Sequence, residues 1–281
     1  MADTDTDDQG AMPLIEHLAE LRTRIIRSVA ALLVGVILCF FIAEPALNFI
    51  AEPISDVLRA RGEDPRLIFT APQEKLFVLF RISILLGLGL SFPVIAYQMW
   101  RFVAPGLYNN EKGAFLPFVI ASPAMFLLGA SFAHFVVTPL AMDFFIGFSD
   151  VVPALTNLIS GQDLDPIVAQ NEELKTVFLG SVRETLDISL KFIFAFGICF
   201  QLPILLTLMG KAGLVSADGL KAMRKYAVVG ILVVAALVTP PDVITQVILF
   251  VVVYALYEIS IWLVWWVERK RAAYEEDEDE V

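Results

Sequence analysis

Long stretches without charge dominate the pattern along the chain. Ser28–Ala43, Ile82–Trp100, Phe192–Gly210 and Tyr226–Pro241 carry no charged side chain. Gly113–Met142 carries only His134, and Val243–Val267 only Glu258. Apolar blocks of about 17–25 residues match the length a helix needs to cross a hydrocarbon core of about 30 Å. Backbone groups in lipid must be satisfied within the segment, which selects helices over open strands. The pattern therefore predicts an all-α polytopic membrane protein with six transmembrane helices, at about 28–43, 76–98, 114–138, 187–209, 226–241 and 243–266. They belong to one membrane domain, 13–270, with an enlarged loop at about 143–186.

The first block is preceded by acids rather than a basic segment and is followed by no small-residue cleavage pattern, so it reads as a retained span and not a cleaved signal. Span five is short and ends at Thr239-Pro240-Pro241-Asp242, where two prolines stop the helix. Pro93, Pro117, Pro123 and Pro203 fall inside spans and predict kinks, hence a cupped arrangement with a lipid-filled concavity near Gln201. Glu44–Gln73 reads as a connecting loop.

Just before the first span, Leu14, Leu18, Leu21 and Ile25 recur at helical spacing, while Glu16, Glu20, Arg24 and Arg27 line a second face. Two readings stand. Glu20 pairs with Arg24 on a solvated helix, or the acidic stripe awaits a cationic partner.

Charge changes the picture in two ways. The formal net charge of −11 is concentrated in the ends: Asp3, Asp5, Asp7 and Asp8, then Glu275, Glu276, Asp277, Glu278, Asp279 and Glu280. Residues 1–12 and 271–281 read as acidic disordered tails, and such tails argue against nucleic acid as a partner. The basic residues cluster at Arg22/Arg24/Arg27, Arg101/Lys112, Lys211/Lys221/Arg224/Lys225 and Arg269/Lys270/Arg271, which together hold most of the 20 Lys and Arg residues. By the positive-inside rule these segments and both termini face the cytoplasm.

Ionisable or polar groups inside spans are functional candidates by default. Glu258 and Gln201 stand out: Glu258 is either satisfied by a neighbouring helix or part of a site, and Gln201 either bonds the carbonyls its own span frees near Pro203 or is part of a site; His134 reads as a packed polar residue. Cys39 and Cys199 read as small apolar residues, and no Cys/His spacing suggests a metal. Ser131 and His134 share one helical turn, the wrong geometry for a nucleophile and its base. No phosphate-binding loop is present. The chain reads as neither an enzyme nor a cofactor protein. A solute transporter using Glu258 and Gln201 is one reading of its function.

A second reading comes from five segments that, in order, resemble the TatC family, the polytopic core of twin-arginine protein translocases. They are Pro13-Leu14-Ile15-Glu16-His17-Leu18-Ala19-Glu20-Leu21-Arg22-Thr23-Arg24; Ser91-Phe92-Pro93 through Pro105-Gly106-Leu107-Tyr108; Glu111; Phe135-Val136-Val137-Thr138-Pro139-Leu140; and Thr239-Pro240-Pro241-Asp242-Val243-Ile244-Thr245-Gln246. The resemblance implies a receptor for the twin-arginine signal peptides of folded precursors, in the bacterial cytoplasmic (inner) membrane, driven by the proton-motive force. It implies TatA/TatB-type single-span partners, surrounding lipid and a homo-oligomer within a larger complex. Glu20 and Glu111, with Arg22 and Phe102, match the signal-peptide site; Pro53, Pro93 and Asp242 match structural or transport positions; Thr239 and Gln246 match the partner-docking cluster. Gln201 departs from the membrane-buried glutamate of several relatives, and the 143–186 loop is longer than is usual.

Overall fold

The computed structural model describes residues 14–62, 64–103, 116–148, 180–240 and 242–279, without the side chains of 14–17, 100, 103, 116 and 272–279. Within them the chain is helical almost throughout. α1 (Leu14–Phe40) turns through Phe41-Ile42 into α2 (Ala43–Ala60), and α3 spans Glu74–Val103. α4 (Leu116–Phe132) passes through a π-helical turn, Ala133–Val137, into α5 at 138–148. α6 (Val182–Cys199), α7 (Leu202–Lys211), α8 (Ala217–Val238) and α9 (Val243–Asp279) complete the order.

Five helical stretches are long and apolar enough to cross a membrane: Leu18–Phe40, Glu74–Met99, Pro117–Phe148, Val182–Lys211 and Val243–Arg271. α8 has only its second half uncharged, because Lys221, Arg224 and Lys225 occupy its first turns. Several expectations are corrected. Glu44–Gln73 is not simply a loop: it contains the 18-residue α2, whose Ala43, Ile50, Ile54 and Leu58 form one buried stripe. The loop expected at 143–186 starts later and ends earlier, since helix extends to 148 and resumes at Val182. α9 continues to Asp279, so the tail expected to be disordered from 271 is helical through that residue. Pro117 is the second described residue of α4, and the residues before Leu116 lie outside the described ones. Pro203 marks a break: span four is two helices, α6 and α7, with a turn at Phe200-Gln201.

In lipid, burying apolar side chains gives helices little reason to associate, so close backbone contact through small residues carries more of the packing. Three helix pairs here meet at glycines. A Cβ at Gly87 of α3 would lie 2.6 Å from the Val36 nitrogen of α1, and one at Gly35 would lie 2.7 Å from the Gly87 carbonyl oxygen. Gly129 of α4 abuts the Phe196 carbonyl of α6, and Gly210 of α7 abuts Val264 of α9. The core centres on α6, whose Leu186, Phe192 and Phe196 are fully buried beside Val78 and Ile82 of α3. α1 is the opposite case: it touches α3 but leaves Ile26, Leu33, Val34 and Ile37 exposed.

A cavity of about 560 Å³ opens between the α1–α2 corner, α3 and α4. Pro93 and Pro123 line it, as do Phe49, Phe126 and His134. Gln201 is not among its walls. The His134 ring is buried and stacks on Phe49 with 4.4 Å between centroids.

The α1–α3 seam generates a prediction. Gly87→Val places a branched side chain against the α1 backbone and forces the helices apart. Overpacking of this kind costs about 1–3 kcal/mol. A thermal unfolding scan of the detergent-solubilised protein should show a lower midpoint for Gly87→Val than for Gly230→Val, because a Cβ at Gly230 meets nothing within 4 Å.

Candidate functional site

Three polar groupings collect the residues singled out in the sequence. The first lies near the start of α1. Arg24 donates from Nε and Nη2 to the same oxygen of Glu20, Oε1, at 3.2 and 2.7 Å. Its Nη1 donates to Gln98 Oε1 of α3 at 3.2 Å. The spacing of four residues puts Glu20 and Arg24 on one helical face, and Gln98 is buried where α3 passes them. Both ionic side chains are largely covered, 19% and 12% exposed, so the carboxylate is held in place rather than free to swing. The other oxygen, Oε2, accepts no hydrogen bond among the described residues. Arg22 is exposed and Phe102 half-buried. Glu111 lies outside the described residues, as does the side chain of Glu16.

The second grouping is the turn between α8 and α9. Thr239, ahead of Pro240, takes the extended backbone that a residue before proline prefers, φ −83° and ψ 151°, and ends α8. Its buried hydroxyl donates to the Ala235 carbonyl at 2.9 Å. Asp242 immediately precedes α9. Its Oδ2 accepts from the Thr245 N–H at 2.7 Å and its Oδ1 from the Thr245 hydroxyl at 2.6 Å. This is an N-cap whose negative charge also suits the positive end of the helix dipole. Gln246 is half-buried; its backbone N–H donates to the Asp242 carbonyl, while its side-chain amide makes no hydrogen bond among the described residues.

The third grouping is intramembrane. Gln201, at the α6–α7 break, accepts from Ser122 Oγ at 2.7 Å and donates through Nε2 to the Ser122 carbonyl at 2.9 Å. Glu258 of α9 accepts from Arg224 of α8 at 2.7 Å and from the Tyr254 hydroxyl at 2.9 Å. Both polar residues are thus satisfied by neighbouring side chains. Of the two positions matched to structural roles on α2 and α3, Pro53 lies half-buried inside α2, and Pro93 is exposed on α3 beside the cavity.

Similarity to known proteins now bears on these groupings. A family described as Sec-independent protein translocase protein (TatC) matches residues 16–251. The chain belongs to the TatC family. A Sec-independent protein translocase protein TatC from Magnetococcus marinus is 41% identical over 274 residues, covering 97% of this chain and 91% of that protein. The TatC of Aquifex aeolicus is 40% identical over 252 residues, covering 90% and 94%. A crystal structure of a twin-arginine translocase receptor, TatC, superposes with a TM-score of 0.70 at 37% identity, covering 90% of this chain and 99% of that one.

Sequence reasoning missed a carboxylate that organises the opposite end of this TatC-family fold from the Glu20 grouping. Glu74 is only 4% exposed. Its Oε2 accepts from the Thr70 N–H at 2.5 Å, the Thr70 hydroxyl at 2.8 Å and the Ala71 N–H at 3.2 Å. Its Oε1 accepts from the Ser181 hydroxyl at 2.8 Å and the Arg183 N–H at 3.0 Å. A short parallel bridge between Ile68 and Ser181 runs alongside, with Ile68 N–H to the Gly180 carbonyl and Val182 N–H to the Ile68 carbonyl, both 3.0 Å. The local signal was present, an acid in the first turn of a helix just after Thr70-Ala71-Pro72. The Ser181 and Arg183 contacts were not legible.

Glu74→Gln tests this junction. The amide retains one accepting oxygen and turns an NH2 toward groups that are themselves donors. Each donor left unsatisfied costs about 1–3 kcal/mol. The variant should melt earlier, and hydrogen exchange at the Ala71 and Arg183 amides should rise well above wild type while amides in the middle of α9 are unchanged.

Proposed function

We propose that this chain is the receptor subunit of a twin-arginine translocase. It binds the signal peptides of folded precursors at its cytoplasmic face and, with single-span TatA/TatB-type partners, exports the precursors across the bacterial cytoplasmic membrane using the proton-motive force. The observation that carries the reading is Glu20: a largely covered carboxylate with one oxygen uncommitted among the described residues, in the segment by which the chain resembles the family. A guanidinium presents a planar fork that suits a carboxylate bidentately, which an ammonium cannot do. Arg24 already balances the charge of Glu20, so two incoming arginines call for a further acid. Glu111 supplies it in this reading.

The topology of the reading is six spans in a cupped arrangement, with α8 as the fifth span and both termini cytoplasmic. α8 has 22 residues, but its uncharged part, 226–238, measures only about 20 Å at 1.5 Å per residue, so the fifth span of this reading is a short one. The basic clusters support the orientation through the positive-inside rule. The apolar cavity flanked by Pro93 and Pro123 supports a concavity beside Phe49 and His134 rather than near Gln201. Partner docking falls to the α8–α9 turn, where the Gln246 side-chain amide, unbonded among the described residues, offers a polar contact beside exposed Leu237, Val243 and Val247. A solute pathway through Glu258 and Gln201 finds no support, since Arg224, Tyr254 and Ser122 occupy their polar atoms.

Two measurements test the proposal. In equilibrium binding of a twin-arginine peptide to purified, folded protein, Glu20→Gln and Glu111→Gln should each weaken binding by roughly ten- to a hundredfold, the loss of a charge-assisted hydrogen bond of about 1.5–3 kcal/mol. A twin-lysine peptide should bind poorly to wild type. If Glu20 serves only to hold Arg24, stability will change in Glu20→Gln while peptide affinity does not. In intact cells, cysteines placed near Asp7 and near Gln162 should label from opposite sides; labelling of both from one side overturns the six-span topology.

A further inference from the structure

Two charged residues lie within the apolar stretches of α3 and α6 and pair directly: Arg81 donates from Nη1 to Asp187 Oδ1. Lys191, one turn further along α6, is exposed and makes no ion pair among the described residues. All three line one shallow cavity of about 260 Å³, together with Leu85, Leu88 and Phe194. Two cations face one carboxylate, so the site carries a net positive charge. We propose that it binds the phosphate of an anionic phospholipid in the leaflet on the α2 side, with an acyl chain lying over the apolar walls.

Depth favours a headgroup. Glu74 and the Ile68–Ser181 bridge put the starts of α3 and α6 at one level. α3 is unbroken, and its apolar stretch Glu74–Met99 measures about 39 Å, so its start stands about 4 Å outside a 30 Å hydrocarbon core. Arg81, about 10 Å beyond Glu74, lies about 6 Å below the hydrocarbon boundary. Lys191, about 14 Å along α6 from Val182, lies about 9 Å below it. Both side chains are long enough to extend their charge toward the headgroups. An uncompensated cation at this depth is unfavourable. A phosphodiester supplies the missing charge and accepts from both Lys191 and the remaining guanidinium N–H groups of Arg81. The joining of a charged rim to an apolar wall is the chemistry of a phospholipid rather than of a free anion.

Native mass spectrometry of the full-length protein, titrated with phosphatidylglycerol, tests the site without reference to export. Wild type and Lys191→Arg should retain the lipid. Lys191→Gln should retain about fivefold less, the effect of one cation near an anionic headgroup. The double variant Arg81→Gln/Asp187→Asn, which leaves no bare carboxylate, should also retain less. Unchanged retention by Lys191→Gln overturns the proposal, and so does retention of diacylglycerol equal to that of phosphatidylglycerol. Equally tight binding of glycerol phosphate makes it a soluble-anion site and overturns the lipid. Loss of a co-purifying single-span protein from Lys191→Gln, with phosphatidylglycerol retention unchanged, assigns the charge to an acidic helix instead.

Discussion

A backbone in hydrocarbon has no water to satisfy it, so every departure from α-helical bonding must be met by a neighbour. The described chain departs in a few places, and the polar groupings sit at or beside them. At the α6–α7 break, Gln201 exchanges two hydrogen bonds with Ser122, the residue before Pro123 on α4. One interruption on each helix is thereby tied to the other. At the end of α8, Thr239 and Asp242 satisfy the Ala235 carbonyl and the first turn of α9. Between α4 and α5 the chain widens into a π turn at Ala133–Val137, the kind of local widening often found at functional positions.

Charge follows the same logic at another scale. Glu258 could not stand alone in its span, and Arg224 meets it from α8 while Tyr254 meets it from one turn away on α9. The pair fixes the register of two helices whose other contacts are mainly apolar. The Tyr257 hydroxyl, donating to the Leu220 carbonyl at 2.7 Å, pins the same two helices nearby. At the Glu20 end, Arg24 joins α1 to α3 through Gln98, so the segment proposed to carry the receptor chemistry is anchored to the scaffold.

The long spans were legible because block hydropathy is a property of consecutive residues. α2 was not, because Ile50, Ile54 and Leu58 alternate with Glu52, Asp56 and Arg59, and averaging over a window cancels an amphipathic helix. The need of Glu258 for a partner was legible; that the partner is Arg224 was not, since helix pairing is set by packing rather than by local pattern. Gln201 was visible as a polar residue beside a proline, yet its partner belongs to α4 and not to its own helix. Glu20 lies between these cases, because its pairing with Arg24 follows from spacing alone while the uncommitted oxygen is a matter of geometry.

The Glu74 junction bears on how the protein is made. The carboxylate and Ser181 are separated by 107 positions, with α4 and α5 between them. At a synthesis rate of about 5–20 residues per second, roughly 5–20 seconds pass between the appearance of one partner and that of the other. During that interval Glu74 has only Thr70 and Ala71 as partners. The junction therefore cannot close before α4 and α5 have appeared, and closing it registers that the helices preceding α6 have been delivered.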